Sequence, residues 1–268
     1  MTRAVGAERI ARVLARAGLC SRREAERWIA EGRVAVGGKV LTSPALNVDP
    51  ADDIRVDGKP LPVRQAPRLW RYHKPAGRLV SRGDPRGRQT IYDELPKELG
   101  TAIAVGRLDL PSEGLLLLTN DGAIARYLEL PATGWTRRYR ARAWGEVDDA
   151  RLAALAKGVT VDGVRYGSIE AVVENRARSN AWLSVTLREG KNREVRRVLE
   201  HIGLKVNRLI RVSFGPFQLG GLEPGAVREV PRKVLSDQLP QFFPTPPKAA
   251  ATGPAQDVLD DDDADRRR

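Results

Sequence analysis

Three prolines fall within residues 60–67, about a quarter of the way along a chain of 268 residues. Proline has no backbone N–H to donate, so this segment can neither continue a helix nor lie in the middle of a sheet. Such a stretch is typical of a semi-stiff linker, and the chain is longer than the roughly 100–200 residues of a usual domain. We therefore expect two unequal domains, residues 8–60 and 68–240, joined by a linker over 61–67.

The sequence before the linker predicts two short helices followed by a β-hairpin. Apolar residues recur with helical spacing over residues 10–17. Ser21 and Glu24 have the spacing of a capping box that begins a second helix, and this helix stops before Gly32. Residues 33–41 then predict a strand, a glycine turn and a second strand.

This N-terminal pattern resembles the small S4-like RNA-binding domain. The resemblance rests on two sequence words, AGLCSRREA at residues 17–25 and EGRVAVGG at residues 31–38. It implies that Arg22, Arg23 and Arg33 face RNA phosphates. The residues alone leave another interpretation open, in which these arginines form an ordinary solvated surface.

After the linker, strand and helix signals alternate without a regular repeat. The apolar run 115–118 and the alternating segment 182–187 predict strands, whereas 121–130 and 148–157 predict helices. This order favours an α+β fold built on a mixed or antiparallel sheet. From residue 241 proline, alanine and aspartate dominate, so we expect a disordered tail over 241–268.

The chain carries a large excess of positive charge, with 46 Lys and Arg against 34 Asp and Glu, or +12 overall. The segment 257–268 contributes −3 through six aspartates and three arginines, so the first 256 residues carry +15. Such an excess favours a polyanionic partner. An arginine-rich composition set by a GC-rich genome gives the same count, and composition alone does not separate the two.

Two segments present side chains suited to chemistry. In GRLDLPSEG, residues 106–114, Asp109 lies between glycines with a proline two positions later, so a constrained loop can present its carboxylate to a ligand. In TRRYRARA, residues 136–143, Tyr139 alternates with arginines as on a strand with one basic face, which suits stacking on a base. Taken alone, the first pattern favours an ordinary turn residue, and the second fits a tyrosine packed under arginine side chains equally well.

A third segment, REGKNREVRRVL at residues 188–199, predicts a helix from Asn192 with its valines and leucine buried. Arg196 lies on the flank of that apolar stripe. A half-buried cation needs an anionic partner, because an unpaired buried charge costs several kcal/mol. Asp109 and an RNA phosphate are the two candidates.

Together these segments resemble the pseudouridine synthases that carry an S4-like domain and modify ribosomal RNA. Residues 106–122 match the family's catalytic loop almost word for word, with Ser112 where threonine is more common. Residues 72–77 match its lysine–proline entry strand and 207–212 its closing strand, and the resemblance extends over about residues 8–240. It implies an α+β fold in which a small α/β RNA-binding domain precedes a catalytic domain with a mixed, mostly antiparallel sheet flanked by helices.

The resemblance also implies roles for individual residues. Asp109 would begin cleavage of the uridine glycosidic bond, as a nucleophile or as a base on the ribose, with Arg196 as its ionic partner. Tyr139 would stack on the uracil and assist the final proton removal. The other residues expected to contact the base or the RNA are Arg107, which would enter the RNA stack, Leu209, which would pack against the flipped base, and Lys74 and Lys191.

The implied isomerisation consumes nothing, so no metal or organic cofactor is expected. No apolar run approaches the roughly 20 residues needed to span a bilayer, and no secretion signal is present. We expect a bacterial cytoplasmic protein that acts as a monomer on ribosomal RNA. The wording of residues 189–196 favours large-subunit 23S rRNA as the target, with small-subunit 16S rRNA as the alternative.

Two other functions compete with this one. A non-catalytic RNA-binding or ribosome-assembly factor would use the basic surfaces, yet Asp109 and Glu113 would repel phosphate in its binding cleft. A hydrolase could use the same two residues as a carboxylate pair, as glycosidases do, but it needs neither an RNA-binding domain nor the positive charge. Ser112 lacks the GxSxG motif and the histidine partner of a serine nucleophile.

Overall fold

In the computed structural model, which describes residues 6–63 and 65–244, the apolar residues before the linker form one core and those after it form two. The first core lies between two helices, α1 (Ile10–Arg16) and α2 (Arg22–Ala30), and a small sheet. The strands of this unit are β1 (Glu8–Arg9), β2 (Val34–Val36), β3 (Lys39–Val40), β4 (Asn47–Val48), β5 (Ile54–Val56) and β6 (Lys59–Pro60).

The second helix of this unit begins and ends where the sequence predicts. The hydroxyl of Ser21 accepts a hydrogen bond from the backbone N–H of Glu24 at 3.2 Å. Only this half of the predicted capping box forms, because the Glu24 carboxylate accepts instead from the indole N–H of Trp28 at 3.0 Å. The helix ends at Ala30, and Gly32 then adopts a positive φ of 71° that turns the chain into β2.

The second unit contains eleven strands and four α-helices among its described residues. Its strands are β7 (Leu69–Lys74), β8 (Ile103–Ala104), β9 (Ser112–Thr119), β10 (Arg137–Trp144), β11 (Val159–Val161), β12 (Val164–Tyr166), β13 (Ile169–Ala177), β14 (Asn180–Leu187), β15 (Lys205–Phe214), β16 (Phe217–Gln218) and β17 (Val227–Glu229). Its helices are α3 (Gly122–Glu129), α4 (Asp149–Ala154), α5 (Glu194–His201) and α6 (Arg232–Gln238).

Nine of these strands form one sheet, in the order β13-β14-β10-β15-β9-β7-β17, with β8 added to β9 and β16 to β15. All of its neighbours are antiparallel except the central pair β9 and β15, which are parallel. The fold is therefore α+β on a mixed, mostly antiparallel sheet, as predicted. The strand β9 is buried on both faces because it lies near the centre, which explains its unbroken run of four leucines.

Helices cover both faces of this sheet, but over different strands. The helices α4 and α5 pack against the inner residues of β10, β13, β14 and β15, and α3 and α6 pack on the opposite face over β7 and β9. The predicted helix from Asn192 begins later, at Glu194, because Arg193 adopts a left-handed φ of 51° at its N-cap.

The ordered C-terminal part is longer than predicted. Phe243 is fully buried in the core beneath α6, so the packed part of the chain extends past residue 240. The predicted disorder over 245–268 lies outside the described residues.

The two units meet near the start of α3. The side chain of Asn120 accepts a hydrogen bond from the Arg68 backbone N–H at 2.7 Å and donates one to the Ala66 carbonyl at 2.9 Å, which fixes the end of the linker. A guanidinium nitrogen of Arg16, on α1, lies 3.9 Å from the carboxylate of Asp121, the N-cap of α3. No helix among the described residues is long and apolar enough to cross a membrane.

The parallel contact between β9 and β15 requires glycine at position 114. Gly114 has a φ of 106°, and a Cβ added there would lie 2.4 Å from the carbonyl oxygen of Arg211 and 2.7 Å from its nitrogen. We expect Gly114→Ala to lower the free energy of unfolding by about 3 kcal/mol or more, because backbone atoms must move. Gly163 has a φ of 75° with nothing within 4 Å of the added Cβ, so Gly163→Ala should cost only the roughly 1–2 kcal/mol of a left-handed backbone.

Urea or thermal unfolding of the two variants measures the difference. Equal losses of stability would contradict the close contact between β9 and β15 as the cause.

Candidate active site

The loop that carries Asp109 is held at both ends. It spans residues 105–111 between β8 and β9, which pair with each other. Gly106, at a φ of 67°, makes the first turn, and its N–H donates to the Glu129 carboxylate at 2.7 Å. At the other end the Ser112 N–H donates to the Asp109 carbonyl at 3.0 Å. The predicted constrained loop is thus confirmed, and it leaves 29% of the Asp109 side chain exposed.

Lys74 lies fully buried beneath this loop, at 0% exposure. Its ammonium has four backbone carbonyl oxygens within hydrogen-bond distance, and its three N–H groups are shared among them. They belong to Ser112 at 2.7 Å, Pro75 at 3.0 Å, Asp109 at 3.2 Å and Leu110 at 3.4 Å. Burial lowers the pKa of Lys74 to about 8, although the nearby carboxylates of Asp109 and Glu113 oppose the shift. The predicted contact of Lys74 with RNA does not agree with this burial, because no part of the ammonium faces solvent.

The cation closest to the Asp109 carboxylate is Arg193. Its Nη1 lies 3.8 Å from Oδ2 of Asp109, whereas no ion pair within 4 Å joins Asp109 to Arg196 in the described part of the chain. The predicted direct pair between Arg196 and Asp109 is therefore absent from this conformation. Arg193 is the N-cap of α5, directly before its first residue, and its side chain reaches the loop that carries Asp109.

The side chain of Arg196 instead contacts the backbone of the loop. The side chain is 8% exposed, donates from Nη1 to the Val206 carbonyl at 2.8 Å and from Nη2 to the Pro111 carbonyl at 3.4 Å, and leaves its Nε without a partner. Burial, followed by the like charge of Arg193, lowers its pKa, and Asp109 opposes that shift. Arg196 therefore lies within the electrostatic reach of Asp109, with one donor still free.

A cleft of about 1020 Å³ opens beside Asp109. Tyr139, at 9% exposure, and Leu209, at 5%, line it from the neighbouring strands β10 and β15, on which Tyr139 pairs with Arg211. The alternation predicted for residues 136–143 is confirmed. Arg138, Arg140 and Arg142 lie on the outer face of β10, and Tyr139 lies on the inner face.

Two buried arginines in this cleft were missed by the sequence analysis. Arg137 and Arg211 are 7% and 3% exposed, and both guanidiniums lie over the ring of Phe214, at 4.7 and 5.3 Å from its centroid. Arg137 donates to the Arg188 carbonyl at 2.6 Å, whereas Nη2 of Arg211 has no partner. Because Arg137 is two residues from Tyr139, strand alternation would have assigned it to the inner face.

The predicted RNA contacts divide into free and paired arginines and lysines. Arg107 is exposed at the loop beside the cleft, and Arg22 and Arg23 are exposed on α2. Arg33 is engaged with Asp57 through two hydrogen bonds of 2.9 and 2.6 Å and lies over the Trp28 ring. Lys191 lines the cleft, where its ammonium donates to the Arg165 carbonyl at 2.7 Å and to Glu189 at 2.6 Å.

The described residues contain no cluster of three or more His, Cys, Asp or Glu side chains suited to a metal ion. The polar groups in the cleft include the Asp109 carboxylate presented on its loop, Tyr139 and several guanidiniums. Such a set can bind an anionic or polar planar ligand and can supply a nucleophile or a base.

Comparisons with known proteins agree on one family. Residues 68–201 match the family described as RNA pseudouridylate synthase, and residues 8–54 match the S4 domain. An uncharacterized RNA pseudouridine synthase of Rickettsia felis is 45% identical over 228 residues, which cover 85% of this chain and 99% of the relative. The chain belongs to the RNA pseudouridine synthases.

Two further likenesses refine this assignment. The ribosomal large subunit pseudouridine synthase B of Shigella flexneri is 44% identical over 237 residues, covering 83% of this chain and 79% of the relative. A crystal structure of a pseudouridylate synthase superposes with a TM-score of 0.60 at 25% identity, over 85% of this chain and 98% of the other. This synthase is thus an isomerase of the subgroup that pairs an S4 domain with the catalytic domain.

The burial of Lys74 makes the stability of the synthase depend on pH. The folded pKa of about 8 lies below the unfolded value near 10.4, so the unfolded chain binds more protons between these two values. The stability of the wild type, measured relative to Lys74→Met, should therefore rise as pH increases from about 8 to 10, by no more than about 1.4 kcal/mol per pH unit. Below pH 8 the difference should be flat.

Urea unfolding at half-unit pH steps measures this difference, with Lys97→Met as a control for the loss of an exposed lysine. A constant difference from pH 7 to 10 would show that the ammonium is not held in a desolvated site.

Proposed function

We propose that the synthase isomerises one uridine of large-subunit 23S rRNA to pseudouridine, with Asp109 as the residue that begins the reaction. The observation that carries the proposal is the position of the Asp109 carboxylate at the rim of a cleft lined by Tyr139 and Leu209. A base held between those two side chains would have its glycosidic bond directed toward the loop. The names of the large-subunit relatives support the choice of RNA, and small-subunit 16S rRNA is the alternative.

Binding begins with removal of the uridine from its helix. A glycosidic bond within a stack is out of reach, and flipping the nucleotide out costs a few kcal/mol. Arg107 is exposed on the loop and can fill the space that the base leaves. Phosphate contacts with Arg22 and Arg23 of the N-terminal domain would offset part of the cost, since the two arginines are exposed and have no ion pair in the described part of the chain.

The chemistry then rearranges one bond. The bond between N1 of the uracil and C1′ of the ribose breaks, the uracil rotates while it remains in the cleft, and its C5 bonds to C1′. Loss of the C5 proton and gain of a proton at N1 complete an isomerisation that needs no co-reactant. Asp109 attacks C1′ or removes a ribose proton in the first step, and Tyr139 assists the removal of the C5 proton in the last.

The two cations near Asp109 have separate tasks. Arg193 is 45% exposed and lies at the mouth of the cleft, where an incoming phosphate competes for it. Arg196 is buried, touches the loop at Pro111 and has a free Nε. When RNA covers the cleft and draws Arg193 away, Arg196 remains as the buried cation that balances the charge of Asp109.

The geometry of Glu113 argues against a hydrolase with a carboxylate pair. Both of its oxygens accept hydrogen bonds from Arg208, at 2.7 and 3.0 Å, and this contact lowers the Glu113 pKa. A glycosidase needs a carboxylic acid whose pKa is raised, so that it can protonate the leaving group. Glu113 is thus unsuited to that role, and it does not line the cleft beside Asp109.

We further propose that the enzyme acts as a monomer in the bacterial cytoplasm, where ribosomal RNA is made. Its basic surfaces and its S4 domain are suited to RNA that is not yet covered by ribosomal proteins.

Incubation with unmodified 23S and 16S transcripts, followed by chemical mapping of pseudouridine, tests the activity and the target. We expect product at one position of the 23S transcript and no product from Asp109→Asn at the same RNA affinity. Product from Asp109→Asn would contradict the role of Asp109. Product in 16S rRNA alone would select the small-subunit alternative, and binding of both transcripts without product would favour an assembly factor.

A pair of arginine variants separates the two cations. We expect Arg196→Met to reduce single-turnover rate about 100-fold or more while RNA affinity stays within a few-fold, because it removes a buried charge near Asp109 that RNA does not reach. Arg193→Met should instead weaken RNA binding several-fold and change the turnover of bound RNA by less than about tenfold. The reverse pattern would identify Arg193 as the ionic partner of Asp109 during catalysis.

A further inference from the structure

One half of one face of the nine-stranded sheet has no helix over it. The helices α3 and α6 cover this face over β7 and β9, whereas α4 and α5 lie on the opposite face. Over β10, β13 and β14 the side chains of this face are turned to solvent. We call this region the open face.

Strand register defines which residues share the open face. Arg142 of β10 pairs with Trp182 of β14 on one side and with Arg208 of β15 on the other, and Trp144 pairs with Lys205. Directly paired residues point to the same face of a sheet. Arg138 and Arg140 continue the row along β10.

Two tryptophans, Trp144 and Trp182, lie on the open face. Trp144 is 53% exposed, and Trp182 is half-buried with the guanidinium of Arg140 stacked at 4.7 Å from its ring. Large exposed aromatic side chains surrounded by polar residues are typical of interaction sites. The three outward arginines of β10 recur every second residue, about 6.8 Å apart along the strand.

The open face carries basic side chains, and some of them have no ionic partner. Arg140 is paired with Glu174, and Arg208 with Glu113. Arg142 and Lys205, however, are exposed and have no ion pair or hydrogen bond with any described side chain. In the strand register Arg142 lies opposite Trp182, and Lys205 lies opposite Trp144. Each aromatic ring therefore has an unpaired cation beside it.

We propose that the open face is a second RNA-binding surface, which takes a single-stranded segment of the same RNA whose uridine enters the cleft. Exposed rings stack on bases of any sequence, and free cations beside them bind the intervening phosphates. An acidic protein partner would use the cations but would gain little from rings arranged between them. The proposal depends on the proposed function only in taking RNA as the ligand.

The double variant Arg142→Glu/Lys205→Glu tests the surface. Arg151→Glu/Lys157→Glu is its matched control, because it reverses two exposed charges on α4 and the turn after it, on the other side of the sheet. Filter binding of a long 23S transcript over 50–300 mM salt gives affinity and salt dependence, and circular dichroism confirms that each variant is folded.

We expect the open-face variant to weaken binding of the long transcript about tenfold or more and to lower the slope of log Kd against log salt by about two, one for each lost phosphate contact. The control should change affinity less than twofold to threefold. Turnover of a short stem–loop that contains only the target uridine should be unchanged in both. Equal effects in the two variants, or none in either, would overturn the proposal.

Tryptophan fluorescence provides an independent measure of stacking. Single-stranded oligonucleotide should quench the emission of the wild type, and Trp144→Phe should lose most of that quenching at unchanged fold. Quenching that persists in Trp144→Phe and in Trp182→Phe would place the bases elsewhere and overturn the stacking part of the proposal. Self-association that the open-face variant abolishes, with RNA affinity unchanged, would identify a second copy as the occupant instead.

The affinity and fluorescence measurements do not require turnover. If the wild type gave no pseudouridine in any transcript, the proposed function would fail while the affinity and quenching results still decided the open face.

Discussion

The ammonium of Lys74, buried beneath the loop 105–111, organises the site on which the rest depends. Four carbonyl oxygens converge on it, including that of Asp109 itself, so one cation sets the path of the loop without touching any side chain in the cleft. The cost of burying it appears as the lowered pKa of Lys74, about 8. An apolar residue would spare that cost, but it would leave several loop carbonyls without a donor.

The electrostatics of the cleft follow from this arrangement. Lys74 donates hydrogen bonds to backbone carbonyls of the loop from below, Arg196 reaches the loop at Pro111 from the side, and Arg193 lies near the Asp109 carboxylate on the solvent side. The three cations differ from one another in exposure, and therefore in how readily an RNA phosphate can compete for them.

Much of this was predictable from the sequence, because local pattern determines local structure. The loop around Asp109, the alternation of β10 and the turn at residues 37–38 depend on glycines and on period-two burial, which are visible in the residues themselves. The contact between Arg193 and Asp109 was not predicted, since it depends on a left-handed backbone at Arg193 and a helix start shifted by two residues. The burial of Lys74 and Arg211 was also missed, because carbonyl acceptors from distant strands leave no trace in side-chain composition.

The parallel pairing of β9 with β15 has a consequence for when the enzyme becomes active. Residues 112–114 of the loop strand lie against residues 209–211, almost one hundred positions later in the chain. Asp109 and Arg196 therefore occupy their positions only after nearly the whole catalytic domain has been synthesised and folded. A nascent or truncated chain can expose the N-terminal RNA-binding domain, but it has no catalytic geometry. Residues 8–54 of the S4 domain are synthesised before any part of the catalytic domain, so the catalytic geometry is completed later than the N-terminal unit.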